Sequence, residues 1–581
     1  MLTATATVTV TASTHAPELD APAASVSRTL VDALRRLGVT HAFGVMGGAI
    51  APFFHAVAHS ELATYHFRHE AGAAFAAVEA SLATRRPVLV FTTAGPGLTN
   101  ALTGMLAARW DGAHVIFVSA STAAAHRGRV ATQETTAATV GGPGLFLTGG
   151  GLHYATTIEH PAQLAPVLGQ LASGLVRPGG FVAHLSLPID IQNAPCPGTT
   201  HLDDRRAMVP TCAPGVFAEH AALFAARPPL IWLGFGARHA AGPIRALVER
   251  TGARVICTPR GKGVVAEDHP RFIGVTGLGG HTRLDDVLAA DRPTHTLVLG
   301  TRMGESSSFW SPELTPSQAF IHVDADPAAF GAAYPGVRTR AVVADIGAYV
   351  EGLLDALGPA PTRAIAPLAL TERPTPPTPR ADGPVRPQHL LAEIQRVIVD
   401  GSDAWLMAES GNSFCWSTHH LRFAEPNRYR VSTGFGSMGH ATTGVVGAAL
   451  ARHGKAYALV GDGAMMMMNE LHSAVQYRAD AVWIILNDAC YLMCAQGMQV
   501  MGWEPFACDV PRVDFVALAR AIGADGERIT TEAEVGPALE RAARVRGPWV
   551  LDVNVDPREA PPSGKRNRSL MQQGHTTAAR H

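Results

Sequence analysis

The sequence predicts an α/β protein built from three doubly wound parallel-sheet domains. Its 581 residues exceed what a single hydrophobic core usually supports. Short apolar runs that end in glycine alternate with helix-like segments, which is the pattern of parallel strands joined by helical crossovers. A proline-dense stretch at 366–387 interrupts this pattern and is typical of an extended linker.

These patterns divide the chain into a first domain at 27–200, a central domain at 201–365 and a third domain at 388–556. Residues 1–26 are rich in Thr and Ala and lack the basic start and apolar block of a signal peptide, so we expect a disordered tail there. Residues 557–581 form a polar, basic C-terminal tail, for which both a folded and a loose state stay open.

Composition excludes several classes of function. The chain has 47 basic and 48 acidic residues and a formal net charge of −1, which argues against a nucleic-acid surface built on bulk charge. Seven scattered cysteines, an odd number without a CxxC pair, favour a reduced, cytoplasmic location. No apolar run reaches the roughly 18 residues that a membrane span needs.

The third domain contains two acidic residues that directly follow predicted strands. An apolar strand at 456–460 leads into Gly461-Asp462-Gly463, and a second at 481–486 leads into Asn487-Asp488. A right-handed helical crossover between parallel strands brings both strand ends to the same edge of the sheet. We therefore expect Asp462 and Asp488 to lie side by side.

Two oxygen ligands at such an edge suit a Mg²⁺ ion that also holds a diphosphate. Gly463 and Ala464 leave backbone N–H groups free to approach phosphate oxygens at the start of the following helix. The alternative is an ordinary βαβ unit with a tight glycine turn, which explains a GDG sequence taken alone.

In the first domain, His69-Glu70 lies where a strand ends and an alanine-rich helix begins. Phe67 and Phe75 would desolvate a carboxyl group at this place, and such a group can share a proton with a ring nitrogen. The alternative is a helix N-terminal Glu that interacts only with the helix dipole.

The GDG and Asn-Asp motifs together resemble the diphosphate-binding motif of thiamine diphosphate (ThDP) enzymes, the superfamily of acetolactate synthase, benzoylformate decarboxylase and pyruvate decarboxylase. The resemblance implies that Asp462, Asp488 and the backbone carbonyl of Cys490 bind Mg²⁺, although Asp488 stands where the family usually has Asn. It also implies that the first domain binds the pyrimidine ring of ThDP and the third binds its diphosphate.

Two further motifs in the first domain are similar to family motifs. Glu70 stands in an HExxAA setting, where the family's Glu hydrogen-bonds the pyrimidine nitrogen and drives the cofactor's amino group to its imino form. The sequence from Gly95 to Asn100 matches the family's GPG-x-TN turn, which the resemblance assigns to shaping the pocket.

Other cofactor contacts follow from the third domain. GFGSMG is similar to the GLGTMG of acetolactate synthase, so the resemblance places Gly434 and Gly436 at the cofactor and makes Met438 the side chain that props its bent shape. Asn412 and Ser413 are expected to donate hydrogen bonds to phosphate oxygens. Because GFGSMG is also formally a dinucleotide fingerprint, a nicotinamide oxidoreductase is the first alternative from another class. A non-catalytic, ThDP-like scaffold protein is the second.

The resemblance also predicts residues that contact substrate. Gln133, in VATQETT, corresponds to the Gln of the family's FQE loop, which faces the reaction centre, but Thr132 replaces the Phe. Gly47 and Gly48 follow a strand that borders the substrate in family members. The helix after Tyr491 is expected to line the acceptor pocket with Met493, Cys494 and Gln496.

The central domain leaves FAD binding open. In acetolactate synthase this domain carries FAD, and Arg302 and Asp324 stand in comparable places. GESSS, at 304–308, replaces the acidic stretch expected there, and many relatives have an empty central domain.

The sequence as a whole predicts a carboligase that depends on ThDP and Mg²⁺. It would decarboxylate a 2-oxo acid and join the acyl carbanion to a second carbonyl compound, giving a 2-hydroxy-ketone. Non-oxidative decarboxylation that releases an aldehyde is the alternative. Because family members build each site from two subunits, we expect a homodimer or a homotetramer.

Overall fold

The computed structural model describes residues 24–139, 143–149, 151–196, 209–359 and 377–572. The predicted tail at 1–26 lies outside these residues except for 24–26, and 377–387 of the predicted linker at 366–387 lie within them. The first helix already begins at Val26, capped by the Ser25 hydroxyl, which accepts from the Arg28 N–H. Pro387, where the predicted linker ends, is the first residue of a helix, a position that suits proline because its missing N–H is not needed there.

The described residues form three six-stranded, all-parallel sheets with helices on their faces, which confirms the predicted fold class. The first sheet has the strand order β2-β1-β3-β4-β6-β5. Its elements are β1 His41–Gly44, β2 Ala63–His66, β3 Val88–Thr92, β4 His114–Ser121, β5 Tyr154–Thr157 and β6 Phe181–Pro188, with α1 Val26–Arg36, α2 Ala51–Ala58, α3 Glu70–Thr84, α4 Pro96–Asp111, α5 Leu164–Leu175 and α6 Ile189–Gln192.

The central sheet has the order β12-β11-β10-β7-β8-β9. Its elements are β7 Leu230–Leu233, β8 Arg254–Cys257, β9 Phe272–Val275, β10 His295–Leu299, β11 Ala319–Asp324 and β12 Thr339–Val343, with α7 Pro214–Ala226, α8 Ala241–Thr251, α9 Arg283–Ala290, α10 Glu305–Ser308 and α11 Ile346–Leu357.

The third sheet has the order β14-β13-β15-β16-β18-β17. Its strands are β13 Trp405–Ala408, β14 Tyr429–Val431, β15 Ala456–Gly461, β16 Ala481–Asn487, β17 Asp525–Ile529 and β18 Trp549–Asn554. Its helices are α12 Pro387–Ile394, α13 Asn412–His420, α14 His440–Arg452, α15 Asp462–Met467, α16 Leu471–Tyr477, α17 Leu492–Val500, α18 Phe515–Ile522, α19 Glu532–Arg544 and α20 Gly564–Leu570.

The first and third domains share one hydrophobic core, in which α3 packs against α14. Small residues allow the two helices to approach closely. A Cβ atom on Gly447 would lie only 2.1 Å from the carbonyl oxygen of Ala76, so this contact requires glycine. Both helices are buried nearly all round because each also covers its own sheet.

The described part of the C-terminal tail is folded. In α20, Lys565 Nζ donates to Asp285 Oδ1 at 2.8 Å, and Ser569 Oγ donates to Glu305 Oε1 at 2.8 Å. Because both acceptors belong to the central domain, α20 connects the end of the chain to that domain. In the part of the chain that the structure describes, no helix combines the length and the apolar character needed to cross a membrane.

Candidate active site

The ends of β15 and β16 bring Asp462 and Asp488 to one edge of the third sheet. The two strands pair in parallel, with Gly461 opposite Leu486. Asp462 Oδ1 accepts from the N–H of Gly463 at 2.7 Å, and its Oδ2 accepts from the N–H of Ala489 at 2.7 Å. The carboxylate of Asp462 therefore spans both strand ends, as the right-handed crossover requires.

The carboxylates of Asp462 and Asp488 both carry an electrostatic cost that a bound cation would remove. Burial raises the pKa of Asp462, and burial together with the nearby Asp462 charge raises the pKa of Asp488 to about 7. Arg512 lies near both, but its Nη1 donates to the carbonyl oxygen of Asn487 at 2.9 Å. Two desolvated carboxylates side by side fit a hard divalent cation such as Mg²⁺. Cys490 lies on the same loop, and its N–H donates to Asp488 Oδ1 at 3.1 Å.

Glycines keep this edge open to a phosphate group. A Cβ atom on Gly463 would lie 2.5 Å from the ring of Tyr491, so the loop has no room for a side chain there. Gly461 faces open space, and Ala464 is buried in the first turn of α15. This cradle of small residues and backbone N–H groups fits a diphosphate held beside the cation.

The GFGSMG segment lies between the third domain and the first. Gly434 and Gly436 are exposed, and Gly436 has φ +65°, a conformation that favours glycine. A Cβ atom on Gly434 would lie 2.9 Å from Cβ of Trp110, at the end of α4 in the first domain. Met438 is partly buried on the same segment.

Asn412 and Gln496 form a polar bridge between the start of α13 and α17. Asn412 Nδ2 donates to Gln496 Oε1 at 3.1 Å, and Gln496 Nε2 donates to the Glu559 carbonyl oxygen at 3.3 Å. The buried Oδ1 of Asn412 has no hydrogen-bond partner among the residues that the structure describes. Ser413 differs from the expectation that its side chain donates to a phosphate oxygen. Its buried hydroxyl donates to the carbonyl oxygen of Glu409, in the loop before α13, at 2.8 Å.

The expected acceptor-pocket residues lie on α17, directly after the cation loop. Cys494 is exposed and Met493 is partly buried. Gly497, one turn further on, is buried and lies against α20, because a Cβ atom there would be 3.4 Å from Nη1 of Arg566. The C-terminal helix thus packs over α17.

The first domain contributes Glu70 at the start of α3. Its side chain is nearly buried, with 8% of the residue exposed, and Asn100 Nδ2 donates to Glu70 Oε2 at 3.0 Å. Gly97 lies opposite, since a Cβ atom there would be 3.5 Å from Glu70 Oε1. The sequence predicts Asn100 only as part of the GPG-x-TN turn. An amide side chain at the carboxyl edge of the sheet that also carries Glu70 is the sequence signal that could have indicated this hydrogen bond.

Gly47 and Gln133 lie near the same edge of the first sheet. A Cβ atom on Gly47 would be 2.6 Å from the side chain of Thr93, which follows β3, whereas Gly48 faces open space. Gln133 packs on Gly95, is exposed and has φ +59°, a strained conformation for a residue other than glycine. Strain of this kind clusters in loops that contact ligands or partners.

The central domain has a cavity of about 270 Å³ at the carboxyl edge of its sheet, where it meets the first domain. Gly236, Gly300 and Asp324 are among its lining residues, and burial raises the pKa of Asp324. Arg302 Nη2 lies 3.6 Å from Asp326 Oδ2, and its guanidinium lies 5.5 Å from the ring of Trp110. FAD binding at this edge stays a prediction.

Comparison with protein families supports assignment of each domain. Residues 24–141 match the N-terminal TPP binding domain of thiamine pyrophosphate enzymes, residues 220–353 their central domain and residues 409–553 their C-terminal TPP binding domain.

The chain is also similar over most of its length to acetolactate synthase large subunits. It is 30% identical over 518 residues to a Mycobacterium tuberculosis protein provisionally named acetolactate synthase large subunit IlvB2, covering 84% of this chain and 90% of the relative. It is 27% identical over 567 residues to the acetolactate synthase isozyme 2 large subunit of Escherichia coli, covering 94% and 98%. For the isozyme 1 large subunit of that organism the identity is 26% over 543 residues, covering 91% and 94%.

One family assignment accounts for the order of the three domains, for the paired carboxylates at the third sheet, for Glu70 at the first sheet and for these relatives. The chain belongs to the thiamine pyrophosphate enzyme family, among its acetolactate synthase-like members.

Proposed function

We propose that this protein is a carboligase dependent on ThDP and Mg²⁺, which decarboxylates a 2-oxo acid and joins the acyl unit to a second carbonyl compound. The observation that carries the proposal is the buried carboxylate of Asp462 beside the partly buried carboxylate of Asp488, next to the small residues Gly461 and Gly463. In a family that uses ThDP, this edge has the donors for a cation and the space for a diphosphate. The similarity to acetolactate synthases favours carboligation over simple decarboxylation.

When bound, ThDP supplies a nucleophilic carbon that adds to the 2-oxo group and accepts the electron pair left by CO₂. The chain's own residues then have separate tasks. Asp462, Asp488 and the Cys490 carbonyl would hold the cation, and Glu70 would exchange a proton with the pyrimidine nitrogen. Asn100 orients Glu70 through its hydrogen bond to Oε2.

The substrate pocket would combine Gly47 and Gln133 of the first domain with Met493, Cys494 and Gln496 of α17. Met438 would fix the cofactor between its rings. The apolar and adaptable Met and Cys side chains suit an acyl group, and the fixed Gln496 amide suits a polar oxygen.

Exposed apolar side chains support a site shared by two copies of the chain. Phe506, beyond α17, has 84% of its surface exposed, and Met466 and Met467 follow the GDG loop with 54% and 59% exposed. On the first domain, Val130 lies in the Gln133 loop and is 97% exposed. Apolar surface around both halves of the site favours a homodimer or homotetramer in which Glu70 reaches the Asp462 edge of another copy.

Replacement of Glu70 by Gln tests the proton-transfer role. The purified protein with ThDP and Mg²⁺ should consume a 2-oxo acid such as pyruvate, and Glu70→Gln should lose most of that rate, because an amide cannot exchange the proton. Addition of an aldehyde or a second 2-oxo acid, followed by mass spectrometry, separates a carboligase from a decarboxylase. Unchanged turnover of Glu70→Gln would refute the mechanism.

A mixing experiment tests the shared site. Glu70→Gln and Asp462→Asn are each expected to be inactive, but a mixed dimer contains one site with both native residues. Co-expression at equal amounts should restore about a quarter of the wild-type rate if dimers assemble at random. No recovery would place both residues in a site within one chain.

A further inference from the structure

Glu470 of the third domain reaches across to the turn that leads into Glu70. Its Oε1 accepts from the N–H of His69 at 2.9 Å, and its two oxygens accept from the N–H of Arg68 at 3.2 and 3.1 Å. Only 6% of Glu470 is exposed. A buried carboxylate of one domain thus satisfies two consecutive backbone donors of another.

The surroundings of Glu470 hold its carboxylate in this position. Ser473 donates its hydroxyl proton to Oε2 of Glu470. Gly72, in the first turn of α3, gives the carboxylate room, since a Cβ atom there would lie 2.6 Å from Oε1. Glu470 itself has φ +50°, a left-handed conformation that is unfavourable for Glu and persists only where other contacts determine it.

The bonds to Glu470 complete the N-terminal capping of α3. The His69 Nδ1 atom accepts from the Ala71 N–H at 3.1 Å, so the turn before Glu70 is fixed on both sides. Glu70 is the first helical residue, and its carboxylate has Asn100 as its own hydrogen-bond donor. A shift of this turn would move the Glu70 carboxylate relative to Asn100 and to any ring nitrogen that it serves.

We propose that Glu470 is a positioning residue for Glu70, acting from the third domain through the N–H groups of Arg68 and His69. The proposal rests on the proposed role of Glu70 in proton exchange. Its functional consequence is that the geometry of Glu70 depends on a carboxylate located after α15, the short helix that begins at Asp462. Loss of this carboxylate should lower the rate of the chemical step and leave substrate binding unchanged.

Tyr477 provides a matched control. It lies at the end of α16, and its hydroxyl oxygen accepts from the N–H of His66 at 2.7 Å. The same hydroxyl donates to the His66 carbonyl oxygen at 3.5 Å, so Tyr477→Phe removes both of its hydrogen bonds between the same two domains, three residues before the bond to His69. A general loosening of the domain contact affects both variants, whereas displacement of Glu70 affects only the Glu470 variants.

The first measurement is amide hydrogen exchange of the protein without cofactor. In Glu470→Ala, exchange at Arg68 and His69 should accelerate by about tenfold or more, because both N–H groups lose a buried acceptor. In Tyr477→Phe, acceleration should be limited to His66. Unchanged exchange at Arg68 and His69 in Glu470→Ala would overturn the proposal, whether or not the protein turns over a 2-oxo acid.

The second measurement is turnover of pyruvate with saturating ThDP and Mg²⁺. Glu470→Ala should lower kcat by about tenfold or more with KM within about twofold, since a misplaced catalytic group slows the chemistry rather than binding. Glu470→Gln keeps one acceptor oxygen and should recover part of kcat, which also covers the case in which the Ala variant folds poorly. Wild-type kcat in Glu470→Ala, or an equal loss in Tyr477→Phe, would refute the positioning role. A wild-type protein inactive on every 2-oxo acid would refute the proposed function, and the exchange experiment would still decide whether Glu470 holds the turn.

Discussion

Arg430 binds Glu79 through two hydrogen bonds, from Nη2 to Oε1 at 2.7 Å and from Nε to Oε2 at 3.0 Å, and this buried pair joins the third domain to the first. Arg430 Nη2 also donates to Asp111 Oδ2 at 3.2 Å, and Arg260 of the central domain lies 3.2 Å from Asp111 Oδ1. All three domains therefore meet in one network of buried charges. The guanidinium groups neutralise the carboxylates, so the network has the character of a domain junction rather than of a metal site.

Replacement of Arg430 by Met should destabilise this junction strongly. Met has a similar length but no charge, so Glu79 and Asp111 would stay buried without their main partner. We expect the free energy of unfolding to fall by about 3–5 kcal/mol, the usual effect of removing one member of a buried ion pair. Chemical denaturation measures the change. Arg520→Met, which breaks the exposed pair with Asp525, is the control and should change stability by less than about 1 kcal/mol. A similar change in both variants would contradict the prediction.

His440 should make the stability of the protein depend on pH. Burial lowers the pKa of His440, but the hydrogen bond and charge of Glu79 outweigh burial and hold that pKa above its usual value. A raised folded-state pKa gives a contribution that is complete below the unfolded-state value of about 6.5 and is lost as the pH rises through the folded-state value. The charged groups that face His440 are Glu79, Asp111, Glu409 and Arg430.

The apparent midpoint of urea unfolding, measured from pH 6 to pH 9, tests this expectation. The wild-type midpoint should decline with pH relative to that of His440→Phe, in which the ring packing on Phe75 is retained and the proton is absent. Parallel curves for the two proteins would show that His440 does not titrate in this range.

Asp462→Asn should weaken cation binding. The substitution keeps the side chain's size but removes one of the two charges that face the proposed Mg²⁺ site. Titration of Mg²⁺ in the presence of ThDP, followed by calorimetry, should show a loss of affinity of at least about tenfold, since even outer-sphere partners of a metal contribute that much. Asp525→Asn, on an exposed strand end, should bind as the wild type does. Equal affinity in all three proteins would exclude Asp462 as a ligand.

Lys565→Met should detach α20 from the central domain. Lys565 is nearly buried and donates to Asp285, so the variant loses a charge-assisted hydrogen bond and leaves Asp285 without that partner. We expect a loss of about 1–3 kcal/mol in the local stability of the tail. Limited proteolysis should cleave the tail of Lys565→Met faster than that of the wild type. Arg568→Met, an exposed position on the same helix, should show the wild-type rate, and faster cleavage there would mean that any change in α20 has this effect.

The fold class and the chemistry available at the edges of the sheets are predictable from the order of the residues. Strand, glycine turn and helix are encoded in neighbouring residues, and the handedness of the crossover is a general rule, so the adjacency of Asp462 and Asp488 followed from local information. The start of α3 at Glu70 was predictable for the same reason.

The side chains that support these groups are known only from the packing of the domains. Four contacts join residues that are far apart in sequence. They are the bond from Asn100 to Glu70, the bonds of Glu470 to the Arg68–His69 turn, the Arg430–Glu79 pair and the docking of α20. Each depends on which surfaces of separate elements pack together. Periodicity shows that a face is buried but carries no information about its partner, and for that reason these contacts could not be read from the chain.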